Sequence, residues 1–103
     1  MAVKQRKVAE SGQLNPGQMA RVMVAHKALL LANVEGTVYA IDDQCSHEDA
    51  SLYNGALRGN CVECPLHGSW FDLRSGQPQQ EPATEALNTY AVEEKPDGIY
   101  VTL

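Results

Sequence analysis

Cys45-Ser46-His47 and, sixteen residues further on, Cys64-Pro65-Leu66-His67-Gly68-Ser69-Trp70-Phe71-Asp72 are the stretch on which the fold turns. Each half offers one thiolate and one imidazole from a tight loop. The spacer holds Gly55, Gly59 and Cys61-Val62-Glu63, enough for a turn and a short strand. Two such loops at the ends of paired strands can converge on one centre. Two cysteines and two histidines suit either a tetrahedral zinc ion or an iron–sulfur cluster, so ligand type alone leaves both open. The order of the ligands discriminates. Zinc fingers usually group two cysteines in one knuckle and two histidines in another, whereas here each loop carries one of each. For a binuclear cluster that interleaving lets each loop reach across both irons, its Cys on one and its His on the other.

Outward from this segment the chain reads as all-β. No helix-length stretch keeps a 3.6-residue period, and short runs rich in Val, Leu, Ile and Tyr alternate with turn signals. Gln18 to Ala25 should pair with Lys27 to Val34, the second nearly continuous in apolar residues and so buried on both faces. Glu35-Gly36 makes a tight turn into Thr37 to Asp42. Leu87 to Glu94 is followed by Lys95-Pro96-Asp97-Gly98, a turn with Pro second and Gly last, after which Ile99, Val101 and Leu103 alternate with Tyr100 and Thr102. The segment 43–72 looks like an insertion between these strand sets. Gly76 to Pro82 carries two prolines and is too stiff and donor-poor for an inner strand.

A chain of 103 residues is one domain, 1–103, with no room for separate catalytic and cofactor units. Hydrophobic residues make up 44% and charged ones 20%, which argues against disorder, and the longest apolar run, Ala28 to Ala32, is too short for a membrane span. No signal-peptide core follows Lys4, Arg6 and Lys7, so the expected location is the cytoplasm, where an odd three cysteines favour metal ligation or burial over disulfides. A net charge of −5 disfavours nucleic acid and suits basic patches on partner proteins, although it serves solubility as well.

Here the two boxes become specific. The sequence resembles the Rieske family, whose pattern is C-x-H, a spacer of this length, and C-x-x-H, and the similarity extends past the second box to Gly76-Gln77-Pro78 and the closing hairpin Tyr90 to Val101. The resemblance implies the Rieske iron–sulfur fold, antiparallel sheets in a sandwich-like base with a cluster-binding subdomain of two loops at 43–72. It implies one [2Fe–2S] cluster held by Cys45, His47, Cys64 and His67, and a loop at Gly76-Gln77-Pro78 that covers it. Neutral imidazoles in place of two thiolates favour the reduced form, lifting the potential from about −400 mV to roughly −150 to +300 mV. Respiratory members carry a loop disulfide at the positions of Ala50 and Leu66, which cannot form it. Ser69 matches a serine that in the family donates to sulfur, but Phe71 replaces a tyrosine that does the same, so a potential in the lower half of that range, roughly −150 to +300 mV, is expected.

The resemblance further implies no enzyme but a one-electron carrier, expected to be monomeric. It would take electrons from an NAD(P)H-oxidising flavoprotein reductase and pass them to the terminal oxygenase of a bacterial aromatic-ring dioxygenase system. Two rivals are the small Rieske subunit of an assimilatory nitrite reductase and, from another class, a structural zinc-binding interaction module. Among the remaining residues, Cys61 reads as a small hydrophobe on a strand, His26 as a solvated turn histidine, and Trp70 with Phe71 as packing. Lys4, Arg6 and Lys7 read as solvating an edge strand.

Overall fold

The structure is a computed structural model that describes residues 4–46, 49–66, 68–80, 83 and 85–103. Its strands are β1 (Gln5–Ala9), β2 (Met19–Val24), β3 (Lys27–Val34), β4 (Thr37–Asp42), β5 (Ala56–Arg58), β6 (Cys61–Glu63), β7 (Trp70–Asp72), β8 (Pro78–Gln80), β9 (Thr89–Tyr90), β10 (Val92–Lys95) and β11 (Gly98–Thr102), with one 3-10 turn at Leu52–Asn54. All pairing between them is antiparallel, in three sheets of order β1-β11-β10, β2-β3-β4-β9 and β5-β6-β7-β8. Among the described residues no helix is long and apolar enough to cross a membrane.

β3 explains the architecture. A strand buried on both faces needs apolar side chains at every position, not at alternate ones. Leu29 and Leu31 point into one core with Val24, Val38, Ala40, Ile99 and Val101, which cements β2-β3-β4-β9 to β1-β11-β10 as a sandwich. Leu30 and Ala32 point the other way, into a second core with Ile41, Leu52, Val62, Phe71 and Leu73 beneath the small sheet β5 to β8. Leu29, Leu30 and Leu31 are each wholly buried. Truncating any of them to Ala would cost about 2–5 kcal/mol.

The hairpins on either side of β3 close tightly. Ala25 and His26 lie at φ 51° and 66°, and Glu35 and Gly36 at 53° and 96°, the backbone of two-residue turns whose twist matches the strands. The second of these was legible from its glycine; the first places two L-residues in the left-handed region.

Two expectations are refined. The run from Leu87 to Glu94 is not one strand. It breaks at Ala91, because β9 pairs with β4 while β10 pairs with β11, so the chain changes sheets there. The stretch Gly76 to Pro82, read as a loop, contains β8, which extends the small sheet beyond Asp72 to Gln80. β8 is an edge strand, the place where Pro78 can lack its N–H at no loss to the ladder. Pro82 lies outside the described residues.

Candidate metal centre

Each cysteine box is a loop closed in the same way. The Cys45 N–H donates to the Ala50 carbonyl at 2.9 Å, and the Cys64 N–H donates to the Ser69 carbonyl at 2.7 Å, so both loops close from a cysteine to the fifth residue after it. The first loop is bracketed by the bridge Gln44↔Ser51 after β4. The second connects β6 to β7 and is bracketed by Glu63↔Trp70. Cys45 and Cys64 are 3% and 1% exposed and belong to the same buried cluster, although they come from different loops. His47 and His67 fall within these two segments by sequence and lie outside the described residues.

Backbone contacts lock the loops together. Gly55 follows the 3-10 turn, and a Cβ there would collide with the Glu63 carbonyl, so only glycine lets the end of the first motif approach the start of the second. Gly68 sits at φ 71°, a left-handed bend directly after His67 in sequence. The Arg58 guanidinium donates to Glu63 Oε1 at 3.0 Å and lies 4.7 Å from the centre of the Trp70 ring, bracing β5, β6 and β7. A hollow of about 400 Å³ beside Cys64 is lined by Asn54, Gly55, Glu63, Pro65 and Gly68.

The residues before β9 cross both loops. Ala83 donates its N–H to Ser69 Oγ at 3.1 Å in the second loop, and Ser46 Oγ donates to the Glu85 carbonyl at 2.7 Å in the first. This strap is anchored by Leu87, whose N–H donates to the Gly76 carbonyl at 2.8 Å. Gly76 itself has φ 76°, and a Cβ on it would run into the Leu87 carbonyl.

The side chains set aside from the site stand as follows. Cys61 lies on β6 opposite Asp72, half-buried, and burial followed by the Asp72 charge pushes its thiol above the ordinary range. His26 is exposed in its turn, Phe71 is wholly buried, and Trp70 is half-buried under Arg58. Ala50 lies half-buried in the first loop, and Leu66 is 45% exposed in the second. The sequence reading passed over Asp43, a carboxylate only 2% exposed at the mouth of the first loop. Its signal was slight, one of two adjacent aspartates at the end of a strand.

Two thiols from separate loops, withdrawn from water into one core, fit an iron–sulfur cluster: thiolates are its usual ligands, and burial shields its sulfurs. Comparison with known proteins agrees. The Rieske [2Fe–2S] domain family matches residues 4–91. The ferredoxin component of biphenyl 2,3-dioxygenase from Rhodococcus jostii is 38% identical over 97 residues, covering 94% of this chain and 91% of that protein. The ferredoxin of carbazole 1,9a-dioxygenase from Nocardioides aromaticivorans superimposes with a TM-score of 0.91 at 32% identity, over 95% of this chain and 96% of that one. A ferredoxin solved in complex with the oxygenase of carbazole 1,9a-dioxygenase superimposes with a TM-score of 0.88 at 37% identity, over 94% and 91%. Paired loop closures, buried thiols, sheet order and near full-length similarity converge, and the chain belongs to the Rieske [2Fe–2S] domain family.

Proposed function

We propose that this chain is the ferredoxin of a ring-hydroxylating dioxygenase system, with Cys45 and Cys64 on one iron of its cluster and His47 and His67 on the other. It takes single electrons from an NAD(P)H-oxidising flavoprotein reductase and delivers them to a terminal oxygenase. The observation that carries the reading is the matched closure of the two loops, Cys45 to Ala50 and Cys64 to Ser69, which leaves both thiols in one buried cluster. When bound, the cluster supplies a one-electron couple.

The chain's own residues do the rest. The strap through Ala83 and Glu85 ties the two loops to each other, and Leu52, Val62 and Phe71 exclude water from the cysteines. A rigid, dry surround of this kind keeps the reorganisation that accompanies electron transfer small. The chain is an electron carrier and not an enzyme, as its relatives are components that serve a separate oxygenase.

The oxygenase assignment is supported by the complex solved for the carbazole relative. Tyr53 in the 3-10 turn and Leu66 in the second loop, each 45% exposed, offer apolar contact area for such a partner. We further read 1–103 as a single domain with 43–72 as its cluster-binding part, monomeric and cytoplasmic. Its net charge of −5 suits a basic docking partner.

The test is elemental. The purified protein should contain two irons and two acid-labile sulfides per chain, be coloured, and give an EPR signal after dithionite reduction. A colourless protein holding zinc without sulfide contradicts the reading. Stable co-purification with a large nitrite-reducing partner contradicts the oxygenase assignment alone.

A further inference from the structure

Asp43 is two residues before Cys45 and 2% exposed. Its Oδ2 accepts from Ser51 Oγ at 2.6 Å and from Arg21 Nε at 3.0 Å, and its Oδ1 accepts from the Tyr53 N–H at 3.0 Å. These donors come from three places: β2 of the base, Ser51 directly after the residue that closes the first loop, and the 3-10 turn that follows it. The Asp43 backbone repeats the pattern, its N–H donating to the Ala28 carbonyl at 3.1 Å and its carbonyl accepting from Leu52 at 2.7 Å. One residue therefore fastens both ends of the first loop to the base sheet. An amide would satisfy fewer of these donors, because its NH₂ would face a donor where a second acceptor is needed.

The charge matters as much as the geometry. A buried carboxylate is strongly unfavourable without a compensating cation, and the cation here is Arg21, whose side chain is 47% exposed on the edge strand β2. Two residues of extended chain span at most about 7 Å. The Asp43 and Cys45 backbones are thus no further apart than that, and Asp43, Cys45 and Leu52 are all buried, so protein fills the space around them. Interactions there are screened far less than on the surface.

We propose that Asp43 is the positioning residue of the first ligand loop and that Arg21, by neutralising it, sets how favourable reduction of the centre is. This rests on the ligand set given under the proposed function. With Arg21 in place the pair is close to neutral. Without it, an uncompensated negative charge stands two residues along the chain from a ligand of the centre that must accept an electron, and reduction becomes less favourable. Removing the Asp43 charge instead has the opposite sign.

The experiment uses the holoprotein and compares Arg21→Gln, Arg21→Lys, Ser51→Ala and Asp43→Asn by voltammetry, visible spectrum and thermal unfolding. Arg21→Gln should keep its chromophore and lose about threefold in the equilibrium constant for one-electron reduction, a downward shift of about 28 mV at 59 mV per tenfold. Raising the salt should shrink this loss, because Arg21 is half exposed. Arg21→Lys should restore the potential, and Ser51→Ala, which removes a hydroxyl but no charge, should leave it in place. Asp43→Asn should either bleach, through misplacement of Cys45, or hold the cluster at a raised potential. An Arg21→Gln protein that melts earlier at the parent potential marks Arg21 as a brace only and overturns the proposal, as does a coloured Asp43→Asn protein with an unshifted or lowered potential. The ligand set fails separately, by a Cys45→Ser variant that keeps the parent spectrum.

Discussion

Replacing Ser69 with Ala removes one oxygen from a site with no solvent access and should be felt well beyond its size. Ser69 is 0% exposed, and its Oγ accepts the N–H of Ala83, itself 3% exposed, at 3.1 Å. With the hydroxyl gone, that N–H stays buried without an acceptor, at a cost of about 1–3 kcal/mol. In a domain of this size each kcal/mol lowers the melting temperature by about 4–8 °C, so the variant should melt at least about 4 °C below the parent. The other tie of the strap, Ser46 Oγ to Glu85, is exposed and sets the scale. There water replaces the lost partner, and Ser46→Ala should cost only about 0.5–1.5 kcal/mol. Thermal unfolding of both holoproteins at one scan rate, followed in the visible, measures the difference. Voltammetry on Ser69→Ala tests the role that the family resemblance gives this hydroxyl, donation to sulfur: the potential should fall. A Ser69→Ala protein that melts within about 1 °C of the parent would refute the claim that this buried donor depends on it.

Phe71→Tyr offers a hydroxyl where the higher-potential members of the family have one, and its potential should rise; no upward shift in voltammetry removes the hydroxyl explanation for a low value. Gly76→Ala puts a Cβ into the Leu87 carbonyl at a backbone φ of 76°, so the strap must shift, and urea unfolding should show a loss of at least about 1–2 kcal/mol. Acid stability follows from Asp72, whose carboxyl is held below its ordinary range chiefly by the hydrogen bond from Arg74. The folded state then binds this proton less readily than the unfolded one, so the pair's contribution is complete above the unfolded value of about 3.9 and disappears as pH falls through the folded value. Because Arg74 is 58% exposed, water and salt screen the pair and the contribution is small. Urea titrations should find Asp72→Asn slightly weaker than the parent at pH 7, with the gap closing below about pH 4.

The base of the fold was legible because β3 declares itself. An unbroken run of apolar residues between two turns admits few structures other than a strand covered on both faces, and its neighbours follow from the short loops beside it. The two cysteine boxes were legible for a different reason, since the ligand types and their order restrict the chemistry before any geometry is known. What stayed hidden depends on contacts distant in sequence. Thr89 and Val92 look like parts of one strand until β4 and β11 are in place to claim one each. β5 and β8 are three residues long, too short for a period, and exist because β6 and β7 give them a partner. Asp43 looks like a surface aspartate until β2 brings Arg21 to it from 22 residues away.

The central claim, that four named side chains hold the cluster, is tested most directly by removing them one at a time and counting iron and labile sulfide per chain. Cys45→Ser, Cys64→Ser, His47→Ala and His67→Ala should each lose the chromophore or most of the metal. Cys61→Ser, which changes the half-buried thiol on β6 that this ligand set leaves out, should keep the parent content and spectrum. Parent-like iron and sulfide in any of the first four, or a bleached Cys61→Ser, contradicts the account.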